Sequence, residues 1–266
     1  MISWVFFVLK CLNMENEIRW LLQEKYDGEL TAAAKKDIKR LKAGEPLDYV
    51  IGFVEFLGCK IDLSKKPLIP RFETEFWVEE VFGQMSNVKG QMSCLDMFSG
   101  SGAIGISIMR HIKNAHVTFV DSEQNCIEQI KINLKINKLS KKRYKVSQSN
   151  LFENLKSKIL NHKSSGFDYI FANPPYIPVA RKSKIQKSVL DYEAHAALFG
   201  GEDGLVYIGK FLALAKNFLN PGGRIYMEFD SSQKPAIEKL LKKYGYKKWD
   251  FQKDQYGRWR WVEIRV

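Results

Sequence analysis

The tetrad Asn173-Pro174-Pro175-Tyr176 follows directly on an apolar run, Phe167-Asp168-Tyr169-Ile170-Phe171-Ala172. Its residue types suit the capture of a planar amide or an exocyclic amine. The side-chain oxygen of Asn173 and the carbonyl of Pro174 are acceptors, and Tyr176 offers a flat wall. Two successive prolines fix φ and remove two backbone donors, and each restricts the residue ahead of it. A stiff, acceptor-lined loop at a strand end aims a nitrogen. Asn173, Pro174 and Tyr176 are therefore candidate catalytic residues, and Asn173, Pro174, Pro175 and Tyr176 candidate substrate contacts. The competing reading is a strand terminator followed by a packing tyrosine.

A second constellation lies upstream. Asp96-Met97-Phe98-Ser99-Gly100-Ser101-Gly102 closes an apolar run and opens a helical one. Glycines at 100 and 102 permit a tight turn and a close approach to a ligand, and ligands of open α/β sheets bind at carboxyl strand ends. The next apolar run ends in Asp121, about twenty residues on, where an acidic side chain can take ribose hydroxyls. The pattern is not G-x-G-x-x-G, because Phe98 stands at the first glycine, and it lacks the Lys-Ser/Thr pair of a phosphate-binding loop. A nucleoside without phosphates fits better than NAD or ATP. A third strand end, Ser149-Asn150-Leu151-Phe152, places Asn150 at a base edge and Leu151 on its face. Helix capping competes for both Asp121 and Asn150.

These positions need a scaffold. Residues 15–44 read as two short helices, with Thr31 capping the second and Gly44-Glu45-Pro46 stopping it. Phe53–Leu57 and Lys60–Leu63 flank Gly58 as a hairpin, and a helix is expected over 73–82. From residue 92 short apolar runs alternate with helical ones. Strands are expected at 94–98, 116–120, 144–146, 169–172 and 224–229, with helices over 103–112, 123–137, 152–160, 205–218 and 235–244. Strands separated by helices predict an α/β, Rossmann-like, mostly parallel seven-stranded sheet. The last runs, near 247–251 and 259–265, have no helix between them and predict an antiparallel edge hairpin. The expected divisions are an apolar leader at 1–13, a helical substrate-recognition domain at 14–50, a hairpin linker at 51–70 and a catalytic domain at 71–266.

Composition sets further bounds. The chain has 266 residues, 45% apolar and 27% charged, with a net charge of +12. That balance supports a real core. The basic excess suits an acidic or nucleic-acid-containing partner, although solvated lysine faces account for it equally well. Cys11, Cys59, Cys94 and Cys126 are scattered, with no C-x-x-C and no histidine at ligand spacing. Neither a metal site nor a disulfide framework is expected. The leader is too short for a membrane span and lacks the basic region and cleavage site of a signal peptide. Met14 is the expected physiological start. His195 reads as a structural or surface histidine, and Glu228 as a buried partner for the N-terminal helices.

The order of glycine turn, Asp121 and Asn-Pro-Pro-Tyr resembles the class I S-adenosyl-L-methionine-dependent methyltransferases. More narrowly, it resembles the peptide chain release factor N5-glutamine methyltransferases (the PrmC/HemK family). Beyond the tetrad, the resemblance rests on Gly44–Gly52, Leu68-Ile69-Pro70-Arg71-Phe72-Glu73-Thr74-Glu75, Asp191-Tyr192-Glu193 with Ala197–Leu205, and Gly257-Arg258. It implies that Phe98, Ser99, Gly100, Ser101, Gly102, Asp121 and Leu151 line the cofactor, and that Asn173 to Tyr176 hold a glutamine. Asn150 and Asn173 join the cofactor side as candidates, and Arg71 and Glu73 the substrate side. Phe98, Asn150 and Leu151 depart from the family pattern near the adenosine. The resemblance implies methyl transfer to a release factor in its Gly-Gly-Gln loop, with S-adenosyl-L-homocysteine as product. It further implies a monomer working near the ribosome, in the cytoplasm or, in a eukaryotic host, the mitochondrion. The alternative is an N6-adenine or N4-cytosine methyltransferase of DNA or RNA, which would need a target-recognition or base-flipping insert that the chain does not display.

Overall fold

The computed structural model describes residues 14–85, 90–155 and 166–266. The apolar leader, Cys11 and most of the expected 152–160 helix lie outside them. The N-terminal part is helical: α1 (Met14–Tyr26), α2 (Ala32–Lys42) and α3 (Leu47–Ile51). Thr31 caps α2 as its sequence predicts, its hydroxyl accepting from Ala34 N at 3.1 Å. Five-residue α3 is too short to show a period, so the sequence gives no sign of it. Trp20, Leu21, Leu41, Leu47, Val50 and Ile51 form a small apolar cluster of their own. The expected hairpin follows, β1 (Phe53–Phe56) and β2 (Cys59–Asp62), and then α4 (Phe72–Met85).

The remainder is a seven-stranded sheet: β3 (Met92–Met97), β4 (Ala115–Asp121), β5 (Tyr144–Gln148), β6 (Phe167–Ala172), β7 (Leu219–Glu228), β8 (Lys248–Lys253) and β9 (Trp259–Arg265). The strand order is β5-β4-β3-β6-β7-β9-β8. The first five strands of that order run parallel, whereas β9 pairs antiparallel with both β7 and β8. Both the parallel body and the edge hairpin follow the expectation. Between the strands come α5 (Ala103–His111), α6 (Gln124–Ile136), α7 (Lys187–Tyr192), α8 (His195–Leu198), α9 (Val206–Ala215) and α10 (Lys234–Lys243).

Strand alternation splits the core into two layers. On β6, Tyr169 and Phe171 join one apolar cluster with Trp77, Ile106 and Ile130, while Ile170 and Ala172 join the other with Phe211 and Ile237. Helices therefore cover both faces, as buried parallel strands require. The order reverses between β3 and β6, and the crevice outside their carboxyl ends is where such sheets bind ligands.

Three departures bear on the site. After β5 the described chain makes only a 3-10 turn at Glu153–Leu155. Strand β7 begins five residues early, at Leu219, because a register irregularity in its pairing with β6 lets Pro221-Gly222-Gly223 ride along the sheet. The segment 177–204, which lacks any periodic run, carries α7, α8 and a bridge between Ile177 and Phe199.

Candidate active site

The glycine turn is tied to β4 by hydrogen bonds. Ser99 Oγ donates to the Asp96 carbonyl at 2.7 Å and accepts from Val120 N at 2.9 Å. Gly100 N donates to Asp121 Oδ2 at 2.8 Å, and Glu123 N donates to Asp121 Oδ1 at 3.0 Å. One carboxylate thus pins both the turn and the approach to α6. Burial raises the Asp121 pKa against the pull of those two N–H donors. Gly100 has φ +52°, and nothing lies within 4 Å of the place its Cβ would take, so a ligand can approach the backbone there. Phe98 takes φ +60° without being glycine, a conformation that costs a side-chain-bearing residue about 1 kcal/mol. Its ring packs near Phe211 and Tyr207, at centroid distances of 6.1 and 6.3 Å.

A cleft of about 190 Å³ opens over this turn. It brings together most of the residues singled out from sequence: Phe98, Ser99, Gly100, Ser101, Asp121, Asn150, Leu151, Asn173, Pro175 and Arg71. Gly102, Glu73, Pro174 and Tyr176 are not among its lining residues. Gly102 serves the turn from behind, where a Cβ would stand 3.2 Å from Ile106 and Ile130. Asn150 is exposed and gives its amide to Glu153 Oε1 at 3.0 Å, while its carbonyl accepts from Glu153 N at 3.3 Å. Those bonds are of the capping kind. Leu151 is buried with φ +52°.

The tetrad is held from two sides. On the cleft side, Asn173 Nδ2 donates to Thr74 Oγ1 at 3.3 Å. Thr74 Oγ1 donates in turn to Glu228 Oε2 at 2.6 Å, an oxygen that also accepts from Trp77 Nε1 at 2.8 Å. Tyr176 OH donates to Glu228 Oε1 at 3.0 Å. Tyr176 is therefore anchored away from the cleft rather than forming its open wall. Burial raises the Glu228 pKa, opposed by the Thr74, Trp77 and Tyr176 donors and by Arg260. On the far side, Gln233 Nε2 donates to the Tyr176 carbonyl at 2.9 Å and the Gly204 carbonyl at 3.1 Å. Ile177 N donates to Leu198 O, and Gly200 N to Ile177 O, both at 3.0 Å.

The Gly-Gly-x-Asp-Gly block supports the tetrad by close approach. A Cβ at Gly200 would lie 2.4 Å from the Pro175 carbonyl, and one at Gly204 would lie 2.1 Å from the Tyr176 carbonyl. Arg71 forks onto the buried Glu193, its Nη2 donating to Oε1 and Oε2 at 2.6 and 2.8 Å, which ties the start of α4 to the segment after the tetrad. Sequence reasoning passed over Thr74 as a site residue and linked Glu228 to the N-terminal helices. The available signal for Thr74 was a polar side chain on the inward face of α4, three residues before Trp77.

The cleft's chemistry fits S-adenosyl-L-methionine. Asp121 keeps spare lone pairs for ribose hydroxyls, Val120, Ile104 and Leu151 supply apolar flanks, and the glycine turn itself carries no lysine, although Lys65 and Lys66 reach the cleft from the loop after β2. Among the described residues no group of His, Cys, Asp or Glu could hold a metal ion, and no helix is long and apolar enough to cross a membrane.

A doubly wound sheet with a cleft outside the carboxyl ends of its strands, at its switch point, is the fold of the class I, Rossmann-like methyltransferases. Solved structures agree on the fold. A methyltransferase from Pyrococcus furiosus superposes with a TM-score of 0.54 at 19% identity, over 88% of this chain and 98% of that one. The ribosomal protein L11 methylase of Lactobacillus delbrueckii subsp. bulgaricus gives 0.51 at 16%, over 76% and 81%. The SMU.776 protein, solved complexed with SAH, gives 0.55 at 14%, over 80% and 55%. Residues 74–211 match the family described as conserved hypothetical protein 95. Nearer relatives narrow the class. The release factor glutamine methyltransferase of Lactococcus lactis is 31% identical over 97% of this chain and 92% of its own length. That of Francisella tularensis is 34% identical over 83% and 74%. The chain belongs to the release factor glutamine methyltransferase family.

Proposed function

We propose that the protein transfers a methyl group from S-adenosyl-L-methionine to the side-chain amide nitrogen of a glutamine in the Gly-Gly-Gln loop of a peptide chain release factor. The observation that carries this reading is the Asn173 carboxamide, whose nitrogen donates to Thr74, so that its oxygen is the end presented as an acceptor.

The chemistry needs help of this kind. An amide nitrogen is a poor nucleophile because its lone pair is delocalised into the carbonyl, and deprotonating it first is very costly near neutral pH. Bound S-adenosyl-L-methionine supplies an electrophilic methyl on a sulfonium centre. The chain's own part is to position the acceptor. Asn173 Oδ1 and the Pro174 carbonyl take the two N–H bonds of the glutamine amide, turning its developing lone pair toward the methyl. The same acceptors stabilise the positive charge that grows on nitrogen, and holding the reactants in line supplies much of the remaining rate. Once methylated, the nitrogen is acidic and its surplus proton leaves to water, so no general base is required. Tyr176 keeps the loop rigid through Glu228. Phe98 to Gly102, Asp121 and Leu151 hold the cofactor, and Arg71 braces the substrate side through Glu193.

The helices and hairpin before residue 71 would grip the release factor, while residues 71–266 carry the chemistry, in the cytoplasm. The test uses labelled S-adenosyl-L-methionine with purified release factor, DNA and RNA in parallel. Label should enter the release factor alone, and Asn173→Ala should lose at least about a hundredfold in kcat. Transfer to nucleic acid but not to release factor would overturn the substrate, and near-wild-type turnover by Asn173→Ala would overturn the site.

A further inference from the structure

We infer that Glu228, acting through the hydroxyl of Thr74, sets which end of the Asn173 carboxamide faces the cleft; both are positioning residues. The inference rests on the proposed reaction, in which the acceptor end must face the substrate.

The argument is a count of donors and acceptors. The two ends of an asparagine amide are nearly isosteric, so shape alone does not choose between them. Their surroundings do. Trp77 Nε1 can only donate, and it lies 2.8 Å from Glu228 Oε2. That oxygen is therefore an acceptor, and because a protonated carboxyl oxygen is a poor acceptor, any proton the carboxyl holds sits on Oε1 instead. Thr74 Oγ1 lies 2.6 Å from the same oxygen. The only proton on that pair of oxygens is the threonine's, so Thr74 donates. Having spent its single proton, Thr74 Oγ1 can only accept from Asn173, 3.3 Å away. The group presented to it must be the NH₂ end, which leaves Oδ1 to the cleft. Reversing the amide would set two acceptors against each other and turn a donor toward the incoming N–H bonds.

Three elements must meet for this chain of polarity. Thr74 and Trp77 stand three residues apart on one face of α4, Glu228 ends β7, and Asn173 follows β6. Glu228 is 1% exposed, so water does not compete for its oxygens. Its second oxygen takes the Tyr176 hydroxyl at 3.0 Å, so one carboxylate orients both the first and the last residue of the tetrad. Burial raises the Glu228 pKa, and the Thr74 and Trp77 donors, Arg260 (itself paired with Asp254 at 3.1 Å) and the Tyr176 donor oppose that rise.

The test compares Thr74→Val, Thr74→Ser and Glu228→Gln in the full chain. Valine keeps the shape of threonine and removes the hydroxyl. Thr74→Val should lower kcat about tenfold, the worth of one ordinary hydrogen bond, with KM for release factor and Kd for S-adenosyl-L-homocysteine within twofold of wild type. Thr74→Ser restores the hydroxyl and should recover most of the turnover. Glu228→Gln should lose less than Thr74→Val, because a glutamine oxygen can still accept from Trp77 and Thr74 while its amide donates to Tyr176. Equal impairment of the serine and valine variants would show a packing role and overturn the inference, as would wild-type kcat in Thr74→Val. A second measurement needs no methyl acceptor. In ¹⁵N spectra of the S-adenosyl-L-homocysteine complex, Thr74→Val should shift the Asn173 side-chain NH₂ signals, and Thr74→Ser should leave them near their wild-type positions. Unmoved signals in Thr74→Val would overturn the inference. Wild-type protein inactive on release factor would instead refute the proposed function, and the spectra would still decide the orientation.

Discussion

Gly204 does not line the cleft, yet replacing it with alanine should disable the enzyme, and the size of the effect can be worked from the geometry. Two penalties act together. Gly204 has φ +77°, so a side chain there is strained by about 1 kcal/mol. Its new Cβ would also stand 2.1 Å from the Tyr176 carbonyl oxygen and 2.6 Å from Gln233 Nε2. Even tight Cβ contacts need 3.0–3.4 Å, so either the tetrad or the segment Gly200–Gly204 must yield by about 1 Å. A displacement of that size at a reacting group costs about a hundredfold in rate. Gly222→Ala is the control. Gly222 has φ +79° but nothing within 4 Å of its Cβ position, so it shares the strain and lacks the collision. Both variants should lose about 1 kcal/mol or more in chemical denaturation, and Gly204→Ala more than Gly222→Ala. In the release factor methylation assay Gly222→Ala should keep its kcat, while Gly204→Ala falls by about a hundredfold. A folded Gly204→Ala with wild-type turnover, or an equal loss of turnover in Gly222→Ala, would refute the claim that this glycine holds the tetrad in place.

Two more outcomes follow from the cofactor half of the site. Asp121→Ala removes the acceptor for Gly100 N and Glu123 N. Losing about 2 kcal/mol of charge-assisted bonding should weaken S-adenosyl-L-homocysteine about thirtyfold by calorimetry, and a Kd within twofold of wild type would refute the role. Asp96 is fully buried, with Oδ2 accepting from Gly105 N at 3.0 Å and Oδ1 without a partner among the described residues. Burial pushes its pKa up to about 7, against the pull of the Gly105 N–H and helped by the charge of Asp121. Between about pH 4 and 7 the native state thus holds a proton that the unfolded chain releases, so this group makes stability fall as pH rises through that window. Asp96→Asn should remove that slope, a difference on the order of 3 kcal/mol between pH 4 and 8. Parallel stability–pH curves for the two proteins would sink the assignment.

Much of this molecule is legible in its sequence because the information is local. Short, continuously buried runs at Cys94–Met97 and Tyr169–Ala172, of the kind that parallel strands covered on both faces require, helical spacing in Ile127, Ile130 and Leu134, and the Thr31 cap each depend on neighbours a few residues away. The glycine turn, Asp121 and the tetrad are local in the same sense. Strand–helix alternation then forces them to the carboxyl edge of one parallel sheet, and those short blocks also suffice to point to the family. What escaped was whatever depended on distance along the chain. Segment 177–204 has no period because its order comes from docking, through Ile177 against Leu198 and Phe199 and through Gln233 beneath Tyr176.

The sequence alone determined the sheet, its edge hairpin, the glycine turn and the Asn-Pro-Pro-Tyr tetrad at a strand end, since hydrophobic pattern, turn chemistry and residue type are written residue by residue. Only the tertiary structure decided that Tyr176 faces a buried carboxylate rather than the cleft, that the glycines at 200 and 204 press on the tetrad's backbone, and that Thr74 and Glu228, 154 positions apart, stand next to each other behind Asn173. A hydrogen bond is directional and short-ranged, so which donor meets which acceptor is settled only when β6, β7 and α4 have packed.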